Sequence, residues 1–112
     1  MSDVLITGTG FVGANIASKF IEEGYSVTAL DLNPKIPDFL QNAKETGKLK
    51  VVTGDTRSIS SLEECVNAEK PRIVVHTATF LTPTEAYNTF EVNVRGTANI
   101  LELARRNDLT MV

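Results

Sequence analysis

The 112 residues predict a doubly wound α/β fold, a parallel sheet of strand order 3-2-1-4 with a fifth strand begun at the chain's end or missing. Three observations carry this expectation. Short β-branched runs alternate with longer segments of helical period, and such alternation yields parallel strands joined by right-handed crossovers. The fourth run, Arg72-Ile73-Val74-Val75-His76, has an almost unbroken apolar middle, which a strand covered on both faces requires. The chain also places its glycine-rich turn and several polar residues just after strand-like runs, where sheets of this kind gather their binding residues.

The elements follow in order. Val4-Leu5-Ile6 is the first strand, stopping at Thr7, and a helix-like segment runs from near Gly10 to Gly24. Ser26 to Leu30 forms the second strand and ends on Asp31, followed by the turn Leu32-Asn33-Pro34. From Lys35 to Thr46, Ile36, Phe39, Leu40 and Ala43 stand at i, i+3, i+4 and i+7, which predicts one helix stopped at Gly47. Leu49 to Thr53 is the third strand, closed by Gly54-Asp55. Ser60 or Ser61 is expected to cap the next helix, since Glu63 and Glu64 stand three residues later, with Leu62, Cys65 and Val66 facing inward and Pro71 ending it. After the fourth strand a threonine-rich loop, Thr77 to Thr84, leads to a long helix from Glu85 to about Asn107. Phe90, Val94, Ala98, Leu101, Leu103 and Ala104 are expected on its inner side. Leu109 to Val112 begins a fifth strand.

Composition narrows the function. Eleven basic and 14 acidic residues give a net charge of −3 with no basic cluster, which argues against nucleic acid as a partner. No apolar run reaches the eighteen or so residues of a membrane span, and the N-terminal residues lack a basic leader region. The single cysteine, Cys65, has no partner for an internal disulfide and reads as a small buried apolar residue of a reducing compartment. A soluble cytoplasmic protein is expected. No metal site is expected, and none of the residues is assigned a catalytic role.

The stretch Thr7-Gly8-Thr9-Gly10-Phe11-Val12-Gly13 carries the chemistry. A strand that hands over to a helix here leaves unpaired N–H groups and the positive end of a helix dipole at one point, which suits a pyrophosphate. Gly8, Gly10 and Gly13 match G-x-G-x-x-G: the first permits the tight turn, the second lets backbone approach the phosphates, the third lets helix pack on sheet. Asp31 follows about twenty residues on, where the fingerprint places a carboxylate for the ribose hydroxyls. That carboxylate repels a 2′-phosphate, and Leu32 and Asn33 supply no Arg, so NAD is preferred over NADP. No acidic residues end the first strand, which disfavours a phosphoacceptor domain, and no Gly-Lys-Ser/Thr follows the turn, which disfavours a nucleoside-triphosphatase equally.

With these residues in view, the chain resembles the N-terminal, Rossmann-fold part of an extended short-chain dehydrogenase/reductase, the NAD-dependent epimerase/dehydratase family. Five blocks carry the resemblance over nearly the whole chain: Ile6 to Gly13, Leu30 to Asn33, Thr53 to Arg57, Val75 to Thr79 and, most specifically, Asn93-Val94-Arg95-Gly96-Thr97-Ala98-Asn99-Ile100-Leu101-Glu102. The resemblance implies that Phe11 and Val12 give N–H groups to the pyrophosphate, that Asp31 binds the adenosine ribose with help from Asn33, and that Asp55 and the Thr56 N–H meet the adenine. It further implies that Ala78 and Thr79 line the path to the nicotinamide ribose and that Asn93 lies near the active-site side.

Three departures stand out. The family's T-G-x-x-G-x-x-G turn is one residue shorter here, and Ser58 and Thr79 replace the family's usual acidic residue and alanine. The family's catalytic Tyr-x-x-x-Lys is absent, since Tyr25 is followed four places on by Ala29 and Tyr87 by Glu91. The expectation is therefore an NAD(P)-binding Rossmann domain over residues 1–112, truncated before the catalytic part of an oxidoreductase that acts on a nucleotide sugar. The alternative is a non-catalytic NAD(H)-binding regulatory module. Self-association is expected, either through the bare edge of the fourth strand or through the long helix, which in the family joins a dimer interface.

Overall fold

Five strands form in the computed structural model, which describes residues 1–82 and 84–112: β1 (Val4–Thr7), β2 (Val27–Asp31), β3 (Leu49–Thr53), β4 (Ile73–His76) and β5 (Thr110–Met111). All pair in parallel in the order β3-β2-β1-β4-β5, so the expected 3-2-1-4 order holds and the begun fifth strand takes its place beside the fourth. Pro83, inside the threonine-rich loop, lies outside the described residues.

Side chains that alternate along β1 divide the core in two. Val4 and Ile6 face α1 (Phe11–Glu22), where Ala14 and Ala17 allow close approach, and they share that layer with Leu40 and Ala43. Leu5 faces the other way, with Leu30 and Val74. It meets Leu62, Cys65 and Val66 of α3 (Ile59–Glu69) and Ile100, Leu103 and Ala104 of the last helix.

Four local expectations are corrected. The segment 35–46 is not one helix: a 3-10 turn at Asp38–Leu40 passes into the short α2 (Gln41–Glu45). Pro37 is extended (φ −65°, ψ 159°), and a proline drives the residue before it away from helical geometry, so no helix starts at Lys35. Phe39 then faces solvent while Leu40 and Ala43 are buried. The cap of α3 is Ser58, whose Oγ accepts the Ser61 N–H at 3.4 Å, because the helix begins at Ile59, earlier than the two later serines imply.

The long helix is continuous but not uniform. α4 (Ala86–Phe90) runs through a π-helical turn at Glu91–Arg95 into α5 (Gly96–Asn107). Its inner face is Gly96, Ile100, Leu103 and Ala104, whereas Phe90, Val94, Ala98 and Leu101 face outward. Two apolar stripes share this helix, and the stripe with the larger residues is the outer one. The edge of β4, lastly, is not bare: Val74 and His76 exchange backbone bonds with Val112, and Ile73 and Val74 pair with β5.

The amino ends of the strands carry a separate polar cluster. Glu69, only 5% exposed, accepts from Lys50 and from Ser2, whose hydroxyl also meets Thr28 at 2.5 Å.

Candidate functional site

The carboxyl ends of the strands open onto a cavity of about 570 Å³. Eleven of the twelve residues singled out from the sequence line it. Gly8, Gly10, Phe11, Val12 and Gly13 come from the turn after β1, Asp31 and Asn33 from the end of β2, Asp55 and Thr56 from the loop after β3, and Ala78 and Thr79 from the loop after β4. Asn93 is not on the wall.

The turn is built by two different constraints. Gly8 has φ +95°, a conformation that side chains rarely adopt, and its N–H donates to Leu30 O at 2.8 Å, tying the turn to β2. Gly13 sits so close to the turn that a Cβ there would lie 2.0 Å from Gly8 O. The first bond inside α1 runs from Ala14 N–H to Gly10 O, and Gly10 offers no side-chain cap. The N–H groups of Phe11 and Val12 therefore precede the helical ladder, and with the dipole they make the rim electropositive. Phe11 and Val12 are themselves 86% and 58% exposed, so their side chains are not what holds them there.

Beside the turn stands Asp31. Its Oδ2 accepts the Thr9 N–H at 2.7 Å and the Thr9 hydroxyl at 2.9 Å, and its Oδ1 accepts the Asn33 N–H at 3.2 Å. Burial pushes this carboxyl up, but the Thr9 bonds and the N–H groups of Asn33 and Leu32 outweigh burial and hold it below the usual carboxylate range. Asp55 is engaged differently. Arg57 grips both its oxygens, Nε to Oδ1 at 2.9 Å and Nη2 to Oδ2 at 2.8 Å, and this pairing keeps the Asp55 carboxyl low. The Arg57 N–H adds a further bond to Oδ1 at 2.9 Å and Nε a second to Oδ2 at 3.1 Å, so Arg57 occupies most of the acceptor capacity of this carboxylate.

The Asn93 to Glu102 block is explained residue by residue. Asn93 pairs with the backbone of Phe80 in both directions, Phe80 N–H to Oδ1 at 2.8 Å and Nδ2 to Phe80 O at 2.9 Å, and also accepts the Thr79 hydroxyl at 3.0 Å. Asn99 Nδ2 donates to Thr56 O at 2.9 Å. A Cβ at Gly96 would lie 3.0 Å from Thr56 Oγ1. Thr97 donates to Asn93 O at 2.7 Å, so it receives the His76 Nε2 proton at 3.1 Å. His76 Nδ1 is thereby the acceptor for the Thr7 hydroxyl at 2.6 Å, and burial keeps the ring's pKa below its ordinary value. One helix thus fixes both loops that flank the cavity.

Thr9, Arg57, Thr97 and Asn99 were not singled out as site residues. The signal for Arg57 was present, because it stands two residues after Asp55, within reach of an Asx-type turn. The arrangement is one of recognition. It supplies backbone donors at a helix start, two ionised carboxylates held by neighbouring donors on the cavity wall, and a histidine with both ring nitrogens engaged.

Comparisons with known proteins agree with this geometry. A family model described as "NAD dependent epimerase/dehydratase family" matches residues 4–112. Sterol-4-alpha-carboxylate 3-dehydrogenase erg26, decarboxylating, of Schizosaccharomyces pombe is 34% identical over 109 residues, 95% of this chain and 31% of that protein. A putative UDP-glucose 4-epimerase of Methanocaldococcus jannaschii is 29% identical, covering 97% of this chain and 36% of its own length. Among solved structures, the Bordetella bronchiseptica enzyme WbmH in complex with NAD+ superposes with a TM-score of 0.82 at 28% identity, over 97% of this chain and 36% of that one. The chain thus spans about a third of the length of the proteins it matches.

Proposed function

Because the chain belongs to the NAD dependent epimerase/dehydratase family, we propose that these 112 residues hold NAD for an oxidoreductase of the epimerase/dehydratase type that acts on a nucleotide sugar. The observation that carries this reading is the meeting of the G-x-G-x-x-G turn and Asp31 on one cavity of about 570 Å³. The N–H groups of Phe11 and Val12 hold the pyrophosphate, Asp31 and Asn33 the adenosine ribose, Asp55 and Thr56 the adenine, and Ala78 and Thr79 the nicotinamide side. Asn93 contributes by fastening the loop at Phe80. The dinucleotide, when bound, supplies reversible hydride transfer, and the residues described here bind and orient it. A nucleotide sugar as substrate is supported by the resemblance to a putative UDP-glucose 4-epimerase.

NAD is preferred over NADP because the held, ionised Asp31 repels a 2′-phosphate. Calorimetric titration of NAD and NADP into the protein and an Asp31→Ala variant tests this. The wild type should bind NAD more tightly than NADP, and the variant should lose most of its NAD affinity. Equal heats from the two proteins would sink the assignment. The outward stripe of Phe90, Val94 and Leu101, each more than half exposed, supports self-association through the long helix. A single monomeric mass at all concentrations in light scattering would refute that part. The buried free thiol of Cys65, pushed up to about 11 by burial, suits a reducing compartment and supports a cytoplasmic location.

A further inference from the structure

Thr9 is the one residue between the first two glycines of the turn, and it does not face the large cavity. Its side chain nevertheless joins three segments. The hydroxyl donates to Asp31 Oδ2 at 2.9 Å and accepts the Lys35 N–H at 3.3 Å, while the Thr9 N–H adds a second bond to the same carboxylate oxygen at 2.7 Å. The phosphate turn, the end of β2 and the loop that follows it therefore converge on a single hydroxyl.

This convergence has a directional effect on Asp31. Two donors on Oδ2 and the Asn33 N–H on Oδ1 fix the plane of the carboxylate and leave spare acceptor capacity mainly on Oδ1 of a residue that lines the cavity. A carboxylate free to rotate swings away from an approaching anion, whereas one held by three donors stays in place and repels it.

We propose that Thr9 is a positioning residue that sets the dinucleotide preference, acting through Asp31 to favour a ligand with a free ribose 2′-hydroxyl over one with a 2′-phosphate. The proposal rests on the functional reading above and deepens it, since it assigns selectivity to a residue that touches no ligand. It also gives the shortened turn a consequence: with one residue between the glycines, the hydroxyl of that residue is what reaches the ribose carboxylate.

The test is calorimetric titration of NAD and NADP into the wild type and into Thr9→Val, Thr9→Ser, Asp31→Ala and the Thr9→Val/Asp31→Ala double variant, with thermal denaturation of each unliganded protein. Thr9→Val keeps the side-chain shape and the N–H bond but removes the hydroxyl. It should lower the ratio of NAD to NADP affinity about tenfold, the effect of one hydrogen bond to a charged group. Thr9→Ser should restore the ratio, and Thr9→Val should change it no further once Asp31 is alanine. If Thr9→Val does not fold, Thr9→Ala takes its place, because it too removes the hydroxyl, and a folded Thr9→Ala protein with the wild-type ratio overturns the proposal. A wild type that binds neither dinucleotide overturns the functional reading and this inference together. A wild type that prefers NAD beside a folded Thr9→Val with the same preference overturns only this inference.

Discussion

Gly10 and Gly13 stand three residues apart in one motif, yet the structure gives alanine opposite consequences at the two sites. At Gly10 a Cβ would meet nothing within 4 Å, and the backbone (φ −71°, ψ −166°) is one that alanine adopts freely. Alanine there reduces the entropy of the unfolded chain, worth roughly 0.4–1 kcal/mol, and weakens the N-cap by a comparable amount. The net change in stability should lie within about 0.5 kcal/mol of zero. At Gly13 the Cβ would fall 2.0 Å from Gly8 O and 2.8 Å from Thr77 Oγ1, so backbone must move. Overpacking costs about 1–3 kcal/mol, and the gain of about 1 kcal/mol from alanine's helix propensity offsets only part of it. With the backbone as the obstacle the upper end applies, and Gly13→Ala should lose about 1–2 kcal/mol, or roughly 4–8 °C in thermal midpoint. Binding separates the pair again. Gly10 lines the cavity, and under the proposed function the phosphates of the dinucleotide approach its backbone, so Gly10→Ala should lose more than about tenfold in NAD affinity. Circular-dichroism melts and calorimetric titration of both variants check this. A Gly10→Ala protein that melts as early as Gly13→Ala, or binds NAD like wild type, would refute the division of labour.

Two further outcomes are expected. Lys50's hydrogen bond holds Glu69 below the usual carboxylate range, so its contribution is fully present above the unfolded value of about 4.3 and is lost as pH falls through the folded value. Glu69→Gln should therefore lower the thermal midpoint at pH 7, and the gap from wild type should close as the pH is taken down; a gap independent of pH would count against the ion pair. Asn93→Ala removes all three bonds that fasten Thr79 and Phe80, worth roughly 1–3 kcal/mol of local stability, and should speed amide exchange at Phe80 by about tenfold or more. Unchanged exchange by NMR would show that the loop is held by something else.

The sheet, and the glycine turn with Asp31 beside it on the cavity, were legible because their signals are local. The glycine turn is written in seven consecutive residues, and Asp31 ends a strand whose pattern is plain. The segment 35–46 misled because i, i+3, i+4 spacing says nothing of Pro37, which sits inside the pattern and delays the helix. The inner face of the last helix was misjudged because size favoured Phe90, Val94 and Leu101. The buried face is set by partners instead: Gly96 fits against Thr56, and Ile100, Leu103 and Ala104 join the cluster of Leu5, Leu30 and Val74. Asn93 and Asn99 act on backbone 13 and 43 residues away, and Thr9 on a carboxylate 22 residues away. Such side-chain bonds leave no periodic trace in a sequence, so only the fold could pair them.

The π-helical turn at Glu91–Arg95 gives the last helix one place where a change of length is absorbed. A π turn carries about one residue more than an α turn, so removing a single amino acid there lets the coil tighten to ordinary winding with the flanking faces still in line. Removing one between Gly96 and Asn99, where the winding is already α-helical, instead turns everything upstream by about 100° and leaves Phe80 and Thr56 anchored to faces that no longer agree. Natural variants should accordingly lose a residue within the π turn or ahead of Ala86 and keep the count from Gly96 to Asn99 unaltered.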